Sequence, residues 1–185
     1  MMKFQVHTPD TAPEASRPLL EQVQQGYGFI PSVYGILAES PVATSTYIHI
    51  VDQLKEHSVL TPQEQQIVMI AVSEQNGCEY CVAAHSTVAG MAQVPEETIT
   101  ALRGGNFPSD PKQAALVRFA KAAVEHRGWI PEADQQAFLD AGYTTRHALD
   151  VLSILALKTL SNYSNHLAHP PLDPQFEAQR WSKTS

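Results

Sequence analysis

Strand patterning is missing from this chain. No run of alternating β-branched residues is long enough to read as a β-strand, which excludes a sheet-based fold. Positive charge is also scarce. The 12 Lys and Arg residues are outnumbered by 19 Asp and Glu, the formal charge is -7, and the basic residues are scattered, so no nucleic-acid partner is expected. Long hydrophobic runs are absent too. The longest, Val151 to Leu157, is interrupted by Ser153 and far too short to span a bilayer, and the opening MMKFQVHTPD has no apolar core of signal-peptide length. A soluble cytoplasmic protein with no membrane partner is expected. Cysteine is nearly absent: with Cys78 and Cys81 alone in 185 residues, a disulfide-scaffolded secreted fold is excluded.

What is present is a helical chain. The hydrophobic fraction of 43% and charged fraction of 17% are those of a globular protein, and 185 residues suffice for one core, so residues 1–185 read as a single all-α domain. Glycines and prolines divide it into helices over about 18–25, a short stretch after Pro31, 41–57, 95–103, 112–126, 131–141 and 144–166. The clearest start is Leu60-Thr61-Pro62-Gln63-Glu64, where Thr61 can cap, Pro62 suits the first turn and Glu64 can close a capping box. That helix becomes apolar on every side from Ile67 to Val72, as a buried helix does, and stops at Asn76-Gly77. The last helix is apolar nearly all round between Leu149 and Leu160, which makes it either central or a subunit interface. Trp129 and Trp181 read as packing anchors.

The two cysteines stand three positions apart in QNGCEYCVAAHS, with His85 four further on. Chance places two cysteines so in about one arrangement in a hundred. With Asn76 as cap, a helix over this segment would put Cys78 in its first turn and bring Cys78, Cys81 and His85 to one face within about 60°. A helix N-terminus, a second thiol and an imidazole one turn away all favour a thiolate at Cys81, with His85 as its acid-base partner. Such a thiolate can attack a peroxide oxygen to give a sulfenic acid, which the other cysteine converts to a disulfide. The rival reading is a structural zinc site of Cys78, Cys81 and His85, whose fourth ligand would have to come from His49, His57 or His166. Asn162, Asn165 and His166 interrupt the oily last helix, and read first as hydrogen-bonding groups between helices.

The run from Leu60 to His85, LTPQEQQIVMIAVSEQNGCEYCVAAH, resembles the core of the alkyl hydroperoxidase D and carboxymuconolactone decarboxylase superfamily, in its peroxidase-related branch. The segments YGFIPSVYGILAESP and KTLSNYSNHLAHPPLD are similar to that branch as well, so the resemblance covers most of the chain around a motif core at 60–90. It implies an all-α bundle of the alkyl hydroperoxidase D-like type, usually a homo-oligomer (trimer or hexamer). It also implies peroxidase or disulfide-reductase activity on a peroxide substrate, supplied by a thiol or dithiol reductant protein and needing no cofactor or metal. Within it Cys81 is the thiol paired with His85, and Cys78 the partner that closes the disulfide and meets the reductant. A glutamate of the family's proton relay is replaced by Gln66, leaving Glu74, eight residues on, as the candidate substitute, and Tyr80 stands between the thiols where the best-known members have a histidine. A decarboxylase-like activity on the same scaffold, with the cysteines incidental, is the third reading.

Overall fold

The computed structural model describes residues 2–183, and its regular structure is helical throughout, with no strand among the described residues. Nine α-helices follow in order: α1 (Arg17–Tyr27), α2 (Ser32–Leu37), α3 (Pro41–His57), α4 (Pro62–Gln75), α5 (Glu79–Met91), α6 (Glu96–Arg103), α7 (Pro111–Glu125), α8 (Glu132–Asp140) and α9 (Thr145–Ala168). Short 3-10 turns, Glu14–Ser16 and Pro174–Gln179, flank them. None of these helices is long and apolar enough to cross a membrane.

The bundle is organised around α4. Thr61 Oγ1 accepts from the Glu64 amide while the Glu64 carboxylate accepts from the Thr61 amide, closing the expected capping box, with Pro62 in the first turn. From Ile67 to Glu74 every residue of α4 is buried, packed against α5, α6, α7 and α9. Burial of each Ile or Val here contributes about 1.5–3 kcal/mol, which makes this helix the spine of the core.

Two sequence expectations change. The α9 helix is central along one face only, and its other face carries exposed apolar side chains. Val151, Ile154, Leu157, Lys158, Ser161, Asn162 and Asn165 are buried along one stripe, whereas Leu149, Leu152, Tyr163 and Leu167 lie exposed on the other side. Trp129 is not a packing anchor: it is 87% exposed, because the chain leaves α7 through Arg127 and Gly128, both at positive φ, which turn it outward. Trp181 does anchor, donating its indole N–H to the Arg103 carbonyl at 2.8 Å.

Candidate active site

The α4–α5 junction decides where the thiols stand. The Cys78 amide donates to Ser73 O and the Gly77 amide to Glu74 O, each at 2.9 Å, with Gly77 at φ 69°, a Schellman-type stop that requires glycine at its left-handed position. Cys78 therefore ends one helix and caps the next. It sits in extended conformation ahead of Glu79 instead of inside the first turn, and Asn76 does not cap; its side-chain amide donates to Asn162 Oδ1 at 2.9 Å. Only Cys81 and His85 share a true helical face.

Both sulfurs are free thiols and almost fully buried. A single amide joins them. Asn165 Nδ2 of α9 donates to Cys81 Sγ at 3.3 Å and lies 3.7 Å from Cys78 Sγ, while Cys81 Sγ is 4.0 Å from Ser161 Oγ. The expected bonding role of Asn165 thus falls on the thiols themselves. Asn162 serves the α4–α5 turn, and His166 is exposed at the mouth of a depression of about 410 Å³ that also reaches Cys78 and His169.

His85 does not hydrogen-bond either sulfur. Its Nδ1 is 3.0 Å from Gln66 Oε1, and its Nε2 is 2.7 Å from Lys158 Nζ. An amide oxygen only accepts, so Nδ1 carries the hydrogen and Nε2 receives one from the lysine. Lys158, absent from the sequence reading, has 0% exposure, and the lysine ion pairs among the described residues engage Lys112, Lys121 and Lys183 instead. A sequence signal existed. Lys158, Ser161, Asn162 and Asn165 recur at intervals of three, one and three, a polar stripe running down an otherwise apolar helix.

The electrostatics follow from this cation. Burial alone would keep Cys81 protonated; the hydrogen bond with Cys78 and the charge of Lys158 outweigh it and bring the thiol down to about 5. Cys78 moves the opposite way, pushed up first by its bond to Cys81 and then by burial. Burial also opposes the charge on Lys158, yet the Cys81 thiolate holds the ammonium above its ordinary range. His85 is held neutral, well below the usual imidazole range, by burial and then by Lys158.

Glu74 is a correction. Its carboxylate meets Lys121 Nζ at 2.8 Å and Lys183 Nζ at 3.5 Å beside Gly105, away from the thiols. Eight residues along a helix rotate the side chain by about 80° and carry it about 12 Å from Gln66, too far to serve the same relay. Gln66 stands instead beside His85, with its Oε1 bonded to Nδ1. The zinc reading finds no support in this donor set: both His85 nitrogens are engaged, the nearest charge is a lysine cation, and the described residues contain no group of His, Cys, Asp and Glu able to hold a metal. His49 and His57 lie at a separate surface depression of α3 and α9.

Cys81, His85, Lys158 and Gln66 form the floor of a cavity of about 140 Å³ whose apolar walls combine the aromatic Tyr27, Tyr34, Tyr47, Tyr80 and Phe176 with aliphatic side chains such as Val51 and Leu157. Tyr80 is fixed in this wall by its hydroxyl bond to buried Asp173, which also accepts from Ser32 N at 3.0 Å and Ser32 Oγ at 2.7 Å, and by an edge contact with Phe176. The C-terminal segment thereby closes one side of the cavity.

Residues 41–122, which include α4 and the Cys-x-x-Cys-x-x-x-His segment, match the carboxymuconolactone decarboxylase family. The fold is similar to the alkylhydroperoxidase AhpD core of an uncharacterized peroxidase-related protein from Ralstonia eutropha, with a TM-score of 0.79 and 26% identity over 94% of this chain and 93% of that one. The matched segment and this structural likeness both support the alkyl hydroperoxidase D and carboxymuconolactone decarboxylase superfamily for this chain. Another member of this fold group is an uncharacterized peroxidase-related protein from a Silicibacter species, with a TM-score of 0.79 and 19% identity over 96% of this chain and 94% of that one. A cysteine-to-alanine variant of the debrominase Bmp8, in complex with 2,3,4-tribromopyrrole, also shares the fold, with a TM-score of 0.79 and 16% identity over 97% of this chain and 95% of that one. No curated protein matches the sequence. The bundle is thus shared with these structures and the cysteine segment lies in the family-matched stretch, while the relatives differ in the chemistry their names carry.

Proposed function

We propose that this protein is a thiol-dependent reductase of small organic hydroperoxides, with Cys81 as nucleophile and Cys78 as resolving thiol. The observation that carries the reading is Cys81 itself: a buried thiol on the floor of an aromatic cavity, beside a lysine cation and an amide donor, with a second thiol on the same amide. The Cys81 thiolate attacks the distal peroxide oxygen, forming an S–O bond and breaking the O–O bond. Cys78 then displaces water from the sulfenic acid to form the disulfide. A thiol or dithiol reductant, acting from outside, returns both sulfurs to the reduced state.

Thiol counting tests this directly. One equivalent of an organic hydroperoxide is expected to remove two free thiols per chain, restored by a dithiol, and Cys81→Ser is expected to abolish turnover. An unchanged thiol count in the wild-type protein contradicts the reading.

The aromatic walls favour a second reading, and the debrominase relative gives it a form. A small haloaromatic ring would be reduced at the same thiols, its carbon–halogen bond becoming carbon–hydrogen as halide leaves and the dithiol becomes a disulfide. Halide release from a brominated pyrrole without hydroperoxide consumption would select it.

A further inference from the structure

We infer that Lys158 is the proton donor of the reaction and that His85 is its positioning residue. The inference rests on the thiol-reductase reading above and deepens it by assigning both protons that the reduction consumes. Reducing a hydroperoxide to an alcohol and water needs two electrons and two protons. Both electrons come from the sulfurs, and one proton is on the Cys78 thiol. When the Cys81 thiolate breaks the O–O bond, the departing alkoxide needs the other proton at the cavity floor. Lys158 Nζ is the cationic N–H donor there.

His85 is unsuited to that role for a geometric reason. Its Nδ1–H is committed to Gln66 Oε1 at 3.0 Å, and its Nε2 lone pair faces Lys158 Nζ at 2.7 Å, so the ring accepts from the lysine and has no hydrogen directed into the cavity. The same pair of bonds fixes the ammonium. The ionisable groups around it are Cys81 and Cys78 at the start of α5, His85 on α5, and Tyr47 on α3; α4 contributes only the neutral Gln66, and α9 the neutral Ser161 and Asn165. Two of these groups vanish as charge partners once the disulfide forms. With no anion left beside it and full burial, Lys158 then stays as the neutral amine. The inventory closes without solvent: a thiolate, a thiol and an ammonium become a disulfide and an amine, while the hydroperoxide becomes alcohol and water.

Proton counting on the wild-type enzyme tests this. The reduced protein in weak buffer at neutral pH is expected to show one thiolate per chain by ultraviolet absorbance. Stoichiometric oxidation by hydroperoxide is then expected to change the indicator signal by no proton. Uptake of one proton per chain would mean that the lysine kept its charge, and would overturn the inference, as would a reduced protein with no thiolate. If hydroperoxide leaves the thiols untouched, the function proposed above fails. Diamide, which also takes two electrons and two protons from a dithiol, then reads the same inventory. Lys158→Met, checked for folding by circular dichroism, is expected to lower kcat by about 10²–10⁴-fold and to move the pH profile of Cys81 alkylation upward. His85→Gln, which keeps an acceptor for the lysine, is expected to lose far less. An equal loss in both variants would return the donor role to His85.

Discussion

Lys121 is partly buried in this bundle, 12% exposed at its side chain, whereas Lys158 is wholly enclosed, and their surroundings are opposite. Lys121 is neutralised by the fold: Glu74 Oε2 lies 2.8 Å from it, and the Gly105 carbonyl accepts from it at 2.9 Å. Lys158 faces a neutral imidazole and two thiols. A buried ammonium needs an anion, and here the only group able to become one at neutral pH is Cys81. The same residue type thus acts as a structural tie on one side of α4 and as the source of a reactive thiolate on the other.

The sharpest way to break this comparison is to remove each cation's partner in turn. Lys158→Met should suppress thiol-dependent turnover by about 10²–10⁴-fold with little loss of stability, since an apolar chain of similar shape replaces a strained charge; steady-state rates and urea melts check both halves. Glu74→Gln should do the reverse. Leaving Lys121 without its anion is expected to cost about 3 kcal/mol of unfolding free energy, read by denaturant titration, with the alkylation profile of Cys81 unmoved. If Glu74→Gln instead shifts the thiol titration, the two clusters are coupled and the contrast fails.

A smaller effect separates charge from hydrogen bonding. Asn165→Ala removes the neutral amide donor to Cys81, and a hydrogen bond to a charged group contributes about 1.5–3 kcal/mol. The midpoint of Cys81 alkylation should therefore rise by about one to two pH units, less than in Lys158→Met. The contrast also carries a stability signature. The folded Cys81 titrates below its unfolded value, so the unfolded state binds more protons between the two, and this contribution to the stability of the reduced protein grows as pH rises through that window. It is fully present above the ordinary thiol range and lost as pH falls through about 5. Urea midpoints measured on reduced and oxidised protein should converge in acid and diverge toward neutral pH; parallel curves would remove the thiolate from the account.

Much of the architecture was legible because local signals coincide with it. Pro41, Pro62 and the Thr61 capping box mark helix starts that the fold keeps, and the apolar run from Ile67 to Val72 is the buried spine. The site was legible in part. Cys81, His85 and Gln66 do line one cavity, and Cys78 shares the amide of Asn165 with Cys81. What escaped was tertiary. Lys158 drew no reading from the sequence, and only the packing of α9 against α4 and α5 turns its stripe inward. Glu74 failed because a carboxylate eight residues further along α4 lies on another face, where it pairs with Lys121 of α7. Cys78 became the cap, two residues past Asn76, because Asn76 and Gly77 are used in ending α4.

The most direct test of the central claim is the pH dependence of Cys81 alkylation by iodoacetamide, followed by mass spectrometry in wild-type and Lys158→Met protein. The account predicts a wild-type midpoint near 5 and a variant midpoint displaced above neutrality. A wild-type midpoint in the ordinary thiol range, or one that the lysine substitution leaves in place, would contradict it.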